Sequence, residues 1–354
     1  MNSKKRPKSK SPRPNGQAER EFRLAEIRRD AEEQMRASGK SPAGLLPAPV
    51  PYNGYYQMPL LKSPQWSWEI PLYLFTGGFA GAAAVIAASA RLLGANAKLV
   101  RDARVLATVG AAISPALLIA DLGTPRRFLN MFRVFKAQSP MSIGSWTLLA
   151  FSTSIAATTV TPAVFRQNGH KGPLRLAAAV AEPVSAATGL VMTAYTGVLI
   201  GATAVPVWNE HVALLPAHFA ASGLASAVSL LELLGHRALP LNLLGAGAAA
   251  VELAIGARIE LNHRPVNRPL KRGLSGWLTR LGGLLSGPLP LALRVLAATT
   301  SYKSRSARLR RAAAVSALAG SLLTRFAWLL AGKSSARDFT LPLQLPASAE
   351  HPPA

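Results

Sequence analysis

The chain has 354 residues, of which 40 are Lys or Arg and 16 are Asp or Glu, and 49% of its residues are hydrophobic. High hydrophobicity combined with only 16% charged residues excludes an intrinsically disordered chain. The pattern also argues against a nucleic-acid-binding protein. Such a protein spreads Lys and Arg over its folded surface, whereas long stretches here contain none.

Residues 1–66 are predicted to form a basic, mostly extended arm outside the membrane. They hold 13 Lys or Arg and six Asp or Glu, and residues 1–14 lack the apolar core of a signal peptide. Glu and Arg spaced four residues apart predict a short surface helix over 17–37. The remainder is rich in Pro, Gly and Tyr; it either lies against a partner or the bilayer surface, or is a plain linker.

Long apolar stretches follow, and each predicts a transmembrane helix, because about 20 apolar residues are needed to cross the hydrocarbon core. Four stretches carry no charge: 70–90, 141–165, 183–209 and 212–231. Four weaker ones contain or border a charged residue: 105–120, about 239–260, about 281–301 and about 312–331. We therefore expect an all-α, polytopic membrane helix bundle of about eight transmembrane helices over 67–332, with a Pro-rich tail at 333–354.

Eight spans place both termini on the same side of the membrane. The basic arm favours the cytoplasm for that side, since positively charged segments are retained there. Alternating the spans also brings all six tryptophans to the side of the termini: Trp66, Trp68, Trp146, Trp208, Trp277 and Trp328. This predicts a special surface, either a docking platform or the rim of a site for a flat amphipathic ligand; the alternative is an ordinary interfacial aromatic belt.

Charged residues within the spans are candidate functional groups, because they are costly in hydrocarbon unless they meet a partner or water. Glu182 and Glu232 are expected near the side opposite the termini, while Glu252 and Arg325 fall inside spans. Together these four could form a proton route. Alternatively they are structural ion pairs, for example Glu252 with Arg325, that hold the helices in register.

A redox centre within the chain is not predicted. Without cysteine the chain cannot supply thiolate ligands for an iron–sulfur cluster, and no metal-binding motif occurs. Haem ligated by two histidines needs two imidazoles at similar depth, but of the six histidines only His218 lies well inside a span. Any haem or cluster is therefore expected in a partner.

Four segments carry a resemblance to a known family: SPQWSWEIPLYLFTGGFAGAAA at 63–84, DLGTPRRFLNMFRVFKAQSPMSIGSWTL at 121–148, YTGVLIGATAVPVWNE at 195–210 and RFAWLLAGKSSARD at 325–338. Over about residues 60–338, with these segments in the same order and spacing, the chain resembles the NrfD/PsrC-type membrane subunit of polysulfide, nitrite and related molybdopterin oxidoreductases.

The resemblance implies a multi-pass anchor in the prokaryotic cell membrane that is not catalytic by itself. It would exchange electrons between membrane menaquinone or ubiquinone and a four-cluster ferredoxin-type iron–sulfur subunit, which in turn contacts a molybdopterin catalytic subunit. Proton movement could be coupled to this exchange. The alternative is a cofactor-free membrane carrier or proton channel built on the same helices.

The resemblance also implies roles for individual residues. The quinone would be contacted by Trp68, Glu69, Tyr195 and Asp121. The iron–sulfur partner would dock on Arg126 and Arg127, and the predicted aromatic surface adds Trp146 and Trp208 to that docking set.

Overall fold

The computed structural model describes residues 61–122, 125–168 and 173–338, and within these it describes the side chains of all residues except 125, 127 and 161–178. The predicted arm and C-terminal tail therefore lie almost wholly outside the described residues. The described residues are predominantly helical and contain no strand, which confirms the all-α class. The α-helices are α1 Glu69–Leu92, α2 Ala97–Asp121, α3 Pro140–Asn168, α4 Pro173–Gly201, α5 Pro206–Glu210, α6 Leu215–Leu233, α7 Leu239–Leu261, α8 Arg268–Lys271, α9 Gly273–Ser286, α10 Pro288–Thr299 and α11 Lys303–Arg337, with 3-10 turns at Pro125–Phe132 and Pro265–Asn267.

Among the described residues, seven segments are long and apolar enough to cross a membrane: α1, α2, residues 140–160 of α3, residues 179–201 of α4, α7, the α9–α10 pair and α11. The stretch predicted at 212–231 is present as the 19-residue helix α6, but α6 is not among the seven. Its buried His218, Glu232 and three serines lower its hydropathy. Because α6 packs against α1, α4, α7 and α11, much of its surface meets protein and need not be lipid-soluble.

Several predicted boundaries differ from the structure. Helix α2 begins at Ala97 rather than at 105, and the stretch predicted at 183–209 is divided between α4, which ends at Gly201, and the short helix α5. The span expected at 281–301 is two helices that break at Gly287, because Pro288 cannot donate the next backbone hydrogen bond of a continuous helix. A Cβ on Gly287 would also lie only 3.0 Å from the backbone nitrogen of Leu253, so glycine allows α7 to approach the break. The last helix, α11, is longer than the predicted 312–331 and ends at Arg337, so it includes the first residues of the predicted tail.

Close contact between helices depends on small residues in α1. Gly81 faces α4, where a Cβ would overlap the carbonyl oxygen of Gly189 and lie 2.7 Å from Thr193 Oγ1. Gly78 faces α6, and its carbonyl oxygen would lie 2.8 Å from a Cβ on Gly223. These contacts bring α1 against two neighbouring helices at backbone distance, as small residues do in membrane bundles.

Candidate functional site

Two carboxylates that are far apart in the sequence meet where α1 begins and α2 ends. Glu69 is the first residue of α1 and Asp121 the last of α2, and the short connection between these helices makes them antiparallel neighbours. Ser67 joins the two: its backbone N–H and its hydroxyl lie 3.1 and 2.6 Å from Asp121 Oδ1, and the hydroxyl also contacts Glu69 Oε2.

This group, the Glu69–Ser67–Asp121 cluster, has the composition of a proton-exchange site. A serine hydroxyl has one proton and can donate it to only one carboxylate at a time. A proton on either carboxyl group would satisfy the second contact. Both hydroxyl contacts are hydrogen bonds only while one carboxyl group carries a proton, so the hydrogen bonding of the cluster is linked to proton uptake and release.

The other two residues predicted to contact a quinone are Trp68 and Tyr195, and neither belongs to this cluster. Trp68, next to Glu69 in the chain, is 61% exposed and borders the surface. Tyr195 is buried; its hydroxyl donates a 2.6 Å hydrogen bond to the carbonyl oxygen of Pro140, and its ring packs on Gly144 of α3. Within the described part of the chain, Tyr195 makes no hydrogen bond to the cluster.

Trp208, predicted to belong to the docking set, is an internal residue of the described chain. Its side chain is 0% exposed, its ring stacks on Trp66 at 5.3 Å, and its indole N–H donates to the carbonyl oxygen of Trp328 at 2.8 Å. Trp328 in turn contacts the ring of His211. Burial lowers the pKa of His211, while its 2.8 Å hydrogen bond with Asn267 acts in the opposite direction.

The loop between α2 and α3 is the part of the predicted docking set that reaches the surface. Arg126 is exposed, and Leu129 and Phe135 are 70% and 58% exposed. Trp146 anchors the loop to α3 through edge-to-face contacts with Phe132 and Phe135. The side chain of Arg127 lies outside the described residues.

Glu182 and Glu232 are each held by two arginines. Glu182 of α4 pairs with Arg91 and Arg104. Glu232 of α6 pairs with Arg294 at 2.8 Å and with Arg310 at 2.6 Å. Each carboxylate is matched by two guanidinium groups, so both residues fit structural ion pairs better than steps of a proton route.

Glu252 and Arg325 do not form the ion pair that the sequence suggested. Glu252 Oε1 lies 3.2 Å from His218 Nδ1, and Glu252 Oε2 accepts a 2.9 Å hydrogen bond from Ser286. The guanidinium of Arg325 is fully buried, lies 3.8 Å above the ring of Phe219 and donates to the carbonyl oxygen of that residue. Among the described residues, no carboxylate lies within 4.0 Å of Arg325.

Two residues at these sites were missed as functional candidates in the sequence. Ser67 lies within the WSWE motif, but nothing in its surroundings indicates a bond to Asp121, 54 positions away. For His218 the sequence suggested only a haem ligand, which was excluded because no second histidine lies at a similar depth. Its position inside a span was itself a signal, because an ionisable group in lipid implies a nearby partner.

The protein-family comparison agrees with this architecture. The model of the family described as "Polysulphide reductase, NrfD" matches residues 59–335, which includes both helices that carry the Glu69–Ser67–Asp121 cluster. No curated protein is similar enough to the chain to add a characterised relative. Because the match covers more than half of its length, the chain belongs to the NrfD family of membrane subunits of oxidoreductase complexes.

Proposed function

We propose that this NrfD-family subunit exchanges electrons between an iron–sulfur partner subunit and menaquinone or ubiquinone in the prokaryotic cell membrane. The observation that supports this most directly is the pair of carboxylates joined by Ser67, since both lie in segments with the family resemblance. The absence of cysteine assigns the iron–sulfur clusters to the partner.

A bound quinone would supply a redox couple that takes up two electrons and two protons. Glu69 and Asp121 would hold and deliver protons at the ends of α1 and α2, while Ser67 keeps the two carboxyl groups oriented. Trp68, exposed beside Glu69, would cover one face of the ring. Tyr195 would add a hydrogen bond after its hydroxyl leaves the carbonyl oxygen of Pro140.

The partner would dock on the loop between α2 and α3. Arg126 and Arg127 supply positive charge, and the exposed Leu129 and Phe135 supply apolar contact area. Such a mixture suits a four-cluster ferredoxin-type subunit that presents an acidic surface around an apolar centre. The molybdopterin catalytic subunit would attach to that partner rather than to this chain.

Extraction of the purified complex with organic solvent tests the function directly. We expect about one quinone per chain; a cofactor-free carrier or proton channel would yield none.

Glu69→Gln and Asp121→Asn should each retain assembly and reduce quinol-linked turnover by ~10²-fold or more, the usual contribution of a general acid or base. Glu210→Gln, which removes an ion pair with the largely exposed Arg264, is the matched control and should leave turnover unchanged. Unchanged turnover in assembled Glu69→Gln and Asp121→Asn would refute the assignment.

A further inference from the structure

A cleft of about 410 Å³ lies between α7, α9 and α11, with His218 of α6 at its base. Its walls are largely apolar and include Leu253, Ala257, Leu284 and Pro288. Gly256 and Gly283 also line it, and a Cβ on either would meet no atom within 4 Å. The cleft is therefore open space beside two helices rather than a packing defect filled by neighbouring side chains.

The base of the cleft contains an acid–base pair with unused hydrogen-bonding capacity. Glu252 is 2% exposed and His218 5% exposed. Glu252 Oε1 and His218 Nδ1 lie 3.2 Å apart, yet within the described residues neither atom has a hydrogen-bond partner. Buried polar atoms without partners are unfavourable, so this pair points to a ligand group that completes them.

The walls and the opening restrict what that ligand can be. Leu253 and Leu284 are 40% and 53% exposed and belong to segments apolar enough to cross the membrane, so the cleft opens towards lipid. The Glu260–Arg280 ion pair closes one end of the lining. A ligand that enters from lipid must be apolar over most of its surface and carry a hydroxyl that can donate to Glu252 and accept from His218.

We propose that this cleft binds a lipid-soluble phenol, with its ring between α7 and α9 and its hydroxyl on the Glu252–His218 pair. The carboxyl group of Glu252 accepts a hydrogen bond from the phenolic O–H, and the ring N–H of His218 donates one to the phenolic oxygen. None of Ser67, Glu69 and Asp121 lines the cleft, so this inference does not rest on the quinone exchange proposed above. A hydroquinone and a redox-inert phenolic lipid share this chemistry.

Photolabelling of the purified full-length protein tests the site without using turnover. The probe is an alkylphenol that carries a diazirine, compared with its methyl ether, and labelled peptides are identified by mass spectrometry. We expect the phenol to label α7 and α9 at least ~tenfold more than the ether does, because a hydrogen bond to a charged group is lost in the ether. Equal labelling by both probes would overturn the proposal.

Two glycine substitutions test the position of the site: one places a side chain in the cleft, and a matched control places the same side chain in a different groove. Gly283→Leu places a side chain in the cleft and should abolish labelling of α7 and α9. Gly247→Leu places the same side chain on α7 where a Cβ also meets nothing within 4 Å, but it faces a second, larger groove and should retain labelling. Labelling that persists in a folded Gly283→Leu variant would refute the site.

Competition experiments then distinguish the two kinds of phenol. A hydroquinone and a redox-inert alkylphenol are each added with the probe, and the compound that suppresses labelling at the lower concentration binds more tightly.

Discussion

At the scale of single residues, the buried charges of this protein differ in what surrounds them. Glu232 lies against two arginines, whereas Glu252 lies against a histidine and a serine hydroxyl. The two arginines make Glu232 part of a buried ion-pair network, whereas no Lys or Arg of the described residues pairs with Glu252. Of the three glutamates in the predicted proton route, Glu252 is therefore the one that arginine does not hold.

Removal of the Glu232 charge should destabilise the bundle strongly. Glu232→Gln leaves the buried guanidinium of Arg294 without a counter-ion, and breaking one side of a buried ion pair costs ~3–5 kcal/mol. We expect a lower yield of monodisperse protein and a lower thermal transition in detergent. Glu210→Gln, which breaks a pair whose arginine is largely exposed, should change stability by ~1 kcal/mol or less. Equal stability of the two variants would contradict this account of Glu232.

Tyr195→Phe should separate the structural role of this residue from its proposed quinone contact. Loss of the hydrogen bond to Pro140 should cost ~1 kcal/mol of stability, and assembly should survive. If the hydroxyl also contacts quinone, turnover with quinol per folded complex should fall below that of the unsubstituted protein. A variant with a lower thermal transition but unchanged turnover per folded complex would make Tyr195 a purely structural residue.

At the scale of helices, the contact between α1 and α4 depends on the absence of side chains. Gly81 of α1 lies against the backbone of α4 near Gly189, so the two helices approach more closely than larger residues permit. The same approach brings Tyr73 and Met192 into one buried cluster. The position of α1, which begins at Glu69, is therefore linked to this glycine contact.

Gly81→Ala is expected to push α1 away from α4. The new methyl group would overlap the carbonyl oxygen of Gly189, and overpacking of this kind costs ~1–3 kcal/mol. Gly247→Ala is the control, because its methyl group meets nothing within 4 Å and alanine favours a helix more than glycine does. Thermal unfolding of both variants in the same detergent measures the difference. A Gly81→Ala protein as stable as the control would show that the α1–α4 contact adjusts without cost.

At the scale of the whole molecule, the acidic residues in the described part of the chain do not form a continuous line through the bundle. Glu182 and Glu232 are each occupied by two arginines, and the Glu69–Ser67–Asp121 cluster makes its contacts where α1 begins and α2 ends. Proton exchange for the proposed quinone chemistry is therefore expected to occur at that end of the bundle. Turnover would then move no net charge across the membrane.

Measurements in sealed liposomes test this expectation. With the assembled complex in one orientation and a pH dye on each side, quinone turnover should change pH only on the side of the Glu69–Ser67–Asp121 cluster. It should generate no membrane potential, and a protonophore should leave the rate unchanged. A potential that builds during turnover, with a pH change on the opposite side, would instead require a path through the interior acids.

Much of the fold could be predicted from local patterns. Uncharged lengths of about 20 residues indicated the spans, because hydrocarbon tolerates few charges regardless of how the helices pack. The stretch predicted at 212–231, which forms α6, shows the limit of prediction from composition. It is enclosed by other helices, so its composition reflects protein neighbours as much as lipid.

The sequence by itself determined that this is an all-α membrane protein, that its motifs are those of the NrfD family and that a few ionisable residues lie inside it. Only the tertiary structure decided which of these residues meet. Ser67 reaches Asp121, Glu232 meets Arg310, and Glu252 lies beside His218 rather than Arg325. Each contact joins different segments and depends on how the helices are rotated and how deeply they pack. Those are properties of the assembled bundle that no local periodicity encodes.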